Sequence, residues 1–240
     1  ISACLVGSEM CIRDRFRGTK TCVLATGDPM CYGIGASLCK AFPIQEMIIL
    51  PSPSALSLAC ARMGWPHQDV ELVTLHGRPL AILRGYSQPL AKIVVLSNDE
   101  NSPRQVAELL TEQGFGNSQI TVLEHMGGSS ERRIDGIARS WSEKPGANFN
   151  TIAIEILSSP ETVLVTRHPG LEDDLFINDG MLTKKEVRAI TLSALQPYPG
   201  SLLWDVGAGS GSVGIEWMRL SPRSLAIAIE EDVDRAATIV

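Results

Sequence analysis

Residues 203–215 read LWDVGAGSGSVGI, and this stretch decides the fold of the second half of the chain. An apolar segment ends near an acid, Asp205, and glycines follow at every second position: Gly207, Gly209 and Gly211. Glycine lets a strand turn sharply into a helix and lets a ligand approach the backbone with no Cβ in the way. The stretch therefore predicts a strand–turn–helix unit that holds a ligand at the start of the helix.

The acids around this turn favour one ligand over another. Residues 209–214, GSGSVG, match the G-x-G-x-x-G pattern of dinucleotide-binding turns. Asp205 instead suits a ligand with a positive amino group and a sulfonium, and it would repel a pyrophosphate. Glu230 ends the next apolar segment, where an acid can accept hydrogen bonds from the ribose of either ligand. We favour S-adenosylmethionine, with NAD and a purely structural turn as the alternatives.

Composition excludes several classes of function. The 240 residues suffice for one large domain or two ordinary ones, and 44% hydrophobic residues can form a real core. A net charge of −6 argues against a nucleic-acid partner, and no apolar run is long enough to predict a membrane helix. The six cysteines form no C-x-x-C pair and no cluster with histidine. We therefore expect no metal site, no disulfide framework and a cytoplasmic location.

The first fifteen residues, ISACLVGSEMCIRDR, are unlike the rest of the chain. They lack the features of a secretory signal and resemble translated sequencing-adapter sequence. We expect residues 1–15, with Cys4 and Cys11, to be non-native; an ordinary strand and turn is the alternative.

Apolar runs alternate with helical patterns through the first half. Strands are predicted at 21–25, 46–50, 70–75, 91–97, 119–126 and 150–157, and helices at 32–42, 51–64 and 102–116. This alternation predicts an α/β domain with a largely parallel sheet.

Residues 158–178 interrupt that rhythm with Pro, Ser, Gly and acids, which indicates a linker. A helix is predicted at 183–195, with Thr183 and Glu186 at capping-box spacing. Strands at 201–206 and 224–230 flank a helix at 210–220. Two strands cannot bury both faces of a sheet, so we expect the second domain to be truncated.

The second half resembles a known enzyme family. Residues 203–219 resemble motif I of class I methyltransferases, and with FINDGMLTKKEVRAITLSAL (176–195) they resemble the decarboxylating domain of precorrin-6Y methyltransferases. For Lys184, Lys185 and Arg188 of that run, we favour a solvated helix face over a functional role.

The first half independently resembles the tetrapyrrole methylases, or class III methyltransferases. LATGDPMCYGIG (24–35) is similar to their G-D-P loop, and residues 51–79 and 122–133 resemble the next blocks of the carbon-5,15 branch. The resemblance implies a second methyl-donor site at Gly27, Asp28, Pro29, Ser52, Ser54, Met126 and Gly127. From the residues alone, an Asx-turn for Asp28 and helix capping for the serines remain open.

Candidate substrate residues are His76 and Arg78 in LHGRP and the pair Arg132 and Arg133 in GGSSERR. Arginine presents a planar fork that matches carboxylates, which edge a tetrapyrrole. For each of them an ordinary surface role is the alternative, and no catalytic residue is evident.

The combined expectation is an α/β chain: a non-native segment at 1–15, a tetrapyrrole methylase domain at 16–157, a linker at 158–178, and the start of a class I Rossmann-like methyltransferase domain at 179–240. The resemblance implies methylation of a precorrin at carbons 5 and 15 with decarboxylation, and a homo-oligomer at full length. The family's opening strand and G-x-G-P-G loop are absent, which puts activity of this chain in doubt. The alternatives are methylation of another substrate such as ribosomal RNA, and a non-catalytic methyl-donor-binding remnant.

Overall fold

The computed structural model describes residues 18–142, 146–160, 162, 164–221 and 223–239. The expectation for residues 1–15 lies outside the described residues. The chain divides into two compact units, the first ending at Thr162 and the second beginning at residue 163.

The first unit contains a five-stranded sheet. Its helices are α1 (Ile34–Ala41), α2 (Ala55–Met63) and α3 (Ser102–Glu112). Its strands are β1 (Val70–Thr74), β2 (Lys92–Leu96), β3 (Gln119–Glu124), β4 (Arg132–Ile137) and β5 (Asn150–Glu155). Short 3-10 helices occur at Ile44–Glu46, His67–Asp69, Leu80–Gly85 and Ala138–Ser140.

The strand order is β1-β2-β5-β3-β4. Only β1 and β2 are parallel; the pairs β2–β5, β5–β3 and β3–β4 are antiparallel. The expectation of a largely parallel sheet is wrong, because a seven-residue connection joins β3 to β4 as a hairpin and β5 inserts between β2 and β3.

The strand predictions succeed where a ladder partner exists. Residues 21–25 and 46–50 form no strand, and Leu24 and Ile48 are 64% and 91% exposed. Neither segment has a hydrogen-bonded neighbour strand among the described residues. The sequence did not predict β4, whose residues alternate between exposed and half-buried at the edge of the sheet.

The sheet is covered on both faces. Alternate residues of β2 separate two cores: Ile93 and Val95 pack in the larger one with α3, while Val94 packs with Ala59 of α2. Because successive strand residues point to opposite faces, this places α2 and α3 on opposite sides.

The second unit contains α4 (Lys185–Leu195), β6 (Leu202–Val206), α5 (Ser212–Leu220), β7 (Leu225–Ile229) and α6 (Val233–Thr238), with a 3-10 turn at Asp173–Leu175. Strands β6 and β7 are parallel, and both lie where strands were predicted. The capping box is wrong: α4 begins at Lys185, with Lys184 as its N-cap and no side-chain cap. Thr183 therefore lies before the cap position.

Candidate ligand-binding sites

Most of the candidate residues in the first unit lie near one edge of its sheet, the edge formed by the carboxyl ends of β1, β2 and β3. Strands β1, β2 and β3 end at this edge, because β2 and β3 are both antiparallel to β5. Strands β4 and β5 begin there, and Glu124 at the end of β3 pairs with both Arg132 and Asn150. Five adjacent strands span about 19 Å at ordinary strand spacing. The sheet thus gathers segments distant in sequence along one extended edge.

The G-D-P loop is shaped by Asp28. Its Oδ1 accepts a hydrogen bond from the backbone N–H of Met30 at 2.7 Å, which is an Asx-turn. A Cβ on Gly33 or on Gly35 would lie 2.7 Å from the carbonyl oxygen of Pro29, so both positions require glycine. The Asx-turn is therefore formed, and a cofactor contact by Asp28 stays a prediction.

This loop meets the start of α2. A Cβ on Gly27, whose φ is +65°, would lie 3.6 Å from the Pro53 carbonyl oxygen. Ser54 is the N-cap of α2, and its Oγ accepts from the backbone N–H of Ser57 at 3.2 Å. Ser54 thus caps the helix, whereas Ser52 is exposed. Gly27, Pro29 and the serines consequently lie around one helix start.

The turn at 126–127 packs against the same helix. Gly127 has φ +82°, and a Cβ there would lie 3.8 Å from Leu58. Met126 packs against the cluster that contains Ala59 and Leu123. The three predicted cofactor segments of the first unit, at 27–29, 52–54 and 126–127, therefore converge on α2.

Sequence reasoning missed Glu131, which fixes this turn. Its Oε2 accepts from the backbone N–H of Gly127 at 2.7 Å, and its carboxylate pairs with Arg62 at 2.5 and 2.9 Å. The hydrogen bond from Arg62, followed by that from Gly127, lowers the pKa of Glu131 to about 2. Only the long-range contact with Arg62 identifies this role, and nothing local in GGSSERR signals it.

The four substrate candidates differ in what they contact. Arg78 and His76 lie exposed in the loop after β1, with the Arg78 guanidinium 5.9 Å from the Tyr32 ring centre. Arg133 is bound by Asp135 through two contacts of 3.0 and 2.9 Å.

Arg133 also donates to the Arg62 carbonyl, while Arg132 lies 3.9 Å from the buried carboxylate of Glu124. A substrate carboxylate would have to compete for Arg133 with an internal partner. Arg78 carries the freer guanidinium.

In the second unit the glycine turn is built as predicted. Gly207, Gly209 and Gly211 all have positive φ, of +73°, +58° and +73°. Glu230 lies at the end of β7, where its Oε2 accepts from the Gly209 N–H at 2.6 Å and its Oε1 from the Asp232 N–H at 3.1 Å. These two backbone hydrogen bonds lower the pKa of Glu230. The acid and the turn are thus one hydrogen-bonded assembly.

Asp205 lies beneath the start of α5. Its Oδ2 accepts from the Gly214 N–H at 3.1 Å, and burial raises its pKa. Oδ1 has no hydrogen-bond partner among the described residues. The Ser210 hydroxyl in the turn is also buried without a partner in the described part of the chain. A carboxylate oxygen and a buried hydroxyl at this turn are therefore without a hydrogen-bond partner among the described residues.

A second segment lies over the turn. Asp179 pairs with Arg235 at 2.8 Å and accepts from the Met181 N–H at 3.0 Å. The Met181 carbonyl lies 3.5 Å from where a Gly209 Cβ would stand. The segment that contains Asp179 and Gly180 is thus adjacent to the glycine turn. The residue types alone did not predict this adjacency.

Arg188 corrects an expectation. It is fully buried, with Nε 2.5 Å from Glu216 and Nη1 3.2 Å from Asp173, and its guanidinium carbon lies 4.5 Å from the Phe176 ring centre. It does not lie on a solvated helix face, because Glu216 of α5 supplies a buried counter-charge. Glu216 also accepts from the N–H groups of Gly170 and Leu171. The predicted linker residues 170–176 contact this network.

Within the described ranges, no group of three His, Cys, Asp or Glu side chains could hold a metal ion. In the same residues no helix is both long enough and apolar enough to span a bilayer.

Fold and candidate sites together define a two-unit α/β protein with glycine-containing turns at the carboxyl ends of β3 and β6. The family of tetrapyrrole (corrin/porphyrin) methylases matches residues 7–140, and a precorrin methyltransferase domain matches residues 174–240. The chain belongs to the tetrapyrrole methylases. The predicted order, a tetrapyrrole methylase domain followed by a methyltransferase domain, is confirmed.

Relatives of known name are similar over most of this chain. It is 46% identical over 223 residues to a precorrin-6Y C(5,15)-methyltransferase (decarboxylating) of Sinorhizobium sp., covering 93% of this chain and 54% of the relative. A protein of the same name from Mycobacterium tuberculosis is 42% identical over 222 residues, covering 90% and 54%. The chain thus spans about half the length of the curated relatives it matches.

Among solved structures, the C-terminal domain of the Rhodobacter capsulatus precorrin-6Y C5,15-methyltransferase is 45% identical to this chain. The match covers 31% of this chain and 40% of that domain, with a TM-score of 0.30.

Proposed function

We propose that this chain is part of an S-adenosylmethionine-dependent enzyme that methylates a precorrin at carbons 5 and 15 and decarboxylates an acetate side chain. One observation carries the proposal: Asp205, the glycine turn and Glu230 form one assembly at the ends of the parallel strands β6 and β7. Membership of the tetrapyrrole methylases and the names of the relatives support it.

The residues at this assembly fit the methyl donor. Oδ1 of Asp205 is available to the donor's ammonium group, and Glu230 lies where it can accept from ribose hydroxyls. At the positive-φ glycines no Cβ blocks the approach of a ligand to the backbone. The Ser210 hydroxyl has no hydrogen-bond partner within the described residues. A pyrophosphate would meet the carboxylate of Asp205 instead, which disfavours a dinucleotide.

In the first unit we propose a second donor site around α2. Gly27, Asp28, Pro29, Ser52, Ser54, Met126 and Gly127 would line it. The convergence of these loops on α2 supports this grouping. His76, Arg78, Arg132 and Arg133 are proposed to contact the substrate, with Arg133 the weakest candidate because Asp135 holds it.

Bound S-adenosylmethionine supplies an electrophilic methyl group, and the meso carbons of the macrocycle are enamine-like nucleophiles. The chain's residues would then bind both partners and hold them in line, which lowers the entropic part of the barrier. We further propose a cytoplasmic homo-oligomer for the full-length enzyme.

The test is calorimetry of the 240-residue chain with S-adenosylmethionine and, separately, with NAD. We expect binding of the methyl donor and none of NAD; tight NAD binding with no heat from the methyl donor would overturn the proposal. Transfer of a labelled methyl group is then measured on a precorrin pool and on ribosomal RNA. Label in the RNA alone would assign a different substrate.

A further inference from the structure

A cleft of about 240 Å³ opens at the ends of β1 and β2, the parallel pair of the first unit's sheet. Leu75, Gly77 and Arg78 line it from the loop after β1, and Asn98, Ser102 and Gln105 from the far side. Carboxyl ends of parallel strands are where open α/β sheets bind ligands. Pockets for whole drug-sized ligands begin at roughly 300 Å³, so this cleft suits one side chain of a larger molecule.

Arg78 is the one charged residue among those lining the cleft. Its guanidinium contacts the Tyr32 ring, and in the described part of the chain no carboxylate pairs with it. The other arginines along this edge, Arg132 and Arg133, face internal acids. A guanidinium without an acid at a cleft mouth is suited to bind an anion.

Asp99, the acid that follows the lining residue Asn98, does not pair with Arg78. Oδ1 of Asp99 accepts hydrogen bonds from the N–H groups of Asn101 at 2.8 Å and Ser102 at 3.1 Å, at the start of α3. Its Oδ2 accepts from the side-chain amide of Asn98 at 3.1 Å, so both carboxylate oxygens have internal donors. These hydrogen bonds lower the pKa of Asp99, and its charge already compensates the helix dipole. Anion recognition would therefore come from Arg78, with the amide of Gln105 as a neutral donor, because the Asn98 amide donates to Asp99.

We propose that this cleft binds a carboxylate-bearing side chain of the tetrapyrrole, with Arg78 as its counter-ion and the Gln105 amide as a neutral hydrogen-bond donor. This rests on the proposed function, because it assigns one subsite for that substrate. It makes Arg78 a specificity determinant, acting at the periphery of the macrocycle and away from the reacting carbon.

The test measures binding of two probes by quenching of tryptophan fluorescence. The probes are cobyrinic acid, a corrin polycarboxylate, and its heptamethyl ester. The wild-type chain should bind the acid at least tenfold more tightly than the ester, a difference of about 1.4 kcal/mol. Arg78→Ala and Gln105→Glu should each weaken binding of the acid about tenfold and leave the ester unchanged.

Gln105→Glu adds an acid near the start of a helix, where it does not disfavour folding. Arg104→Ala is the matched control, because Arg104 is the neighbouring exposed residue of α3 and pairs with Glu108 at 4.0 Å. It should bind both probes as the wild type does.

Calorimetry with S-adenosylmethionine on the same samples distinguishes failure of the cleft assignment from failure of the proposed function. If the wild type binds the methyl donor and the acid, but Arg78→Ala and Gln105→Glu bind the acid equally well, the cleft assignment is wrong and the proposed function survives. Equal binding of acid and ester by the wild type overturns it in the same way. If the wild type binds neither the methyl donor nor either corrin, both proposals fail together.

Discussion

Replacing Arg188 by methionine should unfold the second unit before the first. The arginine is fully buried, and its removal leaves the 2%-exposed Glu216 side chain without its counter-charge. Breaking one partner of such a buried pair costs about 3–5 kcal/mol. A unit of this size holds on the order of 4–12 kcal/mol of unfolding free energy. Arg188→Met should therefore remove a large part of it.

Trp217 offers a local probe of this loss. It follows Glu216 in α5 and is 5% exposed, so its emission should shift to the red when the unit opens. With Trp65, Trp141 and Trp204 replaced by phenylalanine, urea titration then reports the second unit alone.

Lys184→Met is the matched control for this experiment. Lys184 is 65% exposed and lies 3.5 Å from Asp173, the same acid that Arg188 contacts. Its loss should cost less than about 0.5 kcal/mol. If Arg188→Met cost no more than Lys184→Met, the buried pair would contribute nothing to stability and the reasoning would be refuted.

Three further predictions concern the ligand loops. Since burial raises the pKa of Asp205, affinity for S-adenosylmethionine should fall as the pH drops through that raised value, and Asp205→Asn should flatten the calorimetric profile; parallel profiles would refute this. Gly209→Ala adds about 1 kcal/mol of backbone strain at φ +58° and places a Cβ 3.5 Å from the Met181 carbonyl oxygen, so binding of the methyl donor should weaken. The control is Gly200→Ala, whose Cβ would meet nothing within 4 Å; it should change stability and leave donor binding unchanged. The pKa of Glu131 is lowered from 4.5 to about 2, so its contribution to stability is complete above pH 4.5 and is lost as the pH falls toward 2. Glu131→Gln should therefore reduce the difference between the melting temperatures at pH 5 and pH 2. An equal difference in the variant and the wild type would contradict this prediction.

Local patterns predicted the elements that depend on local signals. The glycine turn of the second unit and β6 and β7 follow from glycine spacing and apolar runs. In the first unit, β1, β2, β3, β5 and α3 lie where apolar periodicity placed them. These features depend on neighbouring residues, so a single sequence specifies them.

Features that depend on distant partners were missed. The sequence of β4 is polar because the strand lies at the edge of the sheet, and it forms a strand through its pairing with β3. The sequence around Arg188 predicts a cation on the surface. Its burial depends on Glu216, which lies on another helix. Glu131 likewise acquires its role through Arg62, far away in the sequence. Strand direction, burial of charge and long-range ion pairs are set by tertiary packing, which local residue types do not encode.

The hydrogen bonds of Glu230 have a consequence for the thermodynamics of binding. Both of its oxygens are held by backbone N–H groups, those of Gly209 and Asp232, so the folded chain has already fixed the rotamer of this side chain. A ligand that contacts the carboxylate would not need to immobilise it, and the conformational entropy is lost on folding instead of on binding. Removing the fixed carboxylate should therefore reduce the binding enthalpy, whereas loosening the turn that holds it should appear as an entropic penalty.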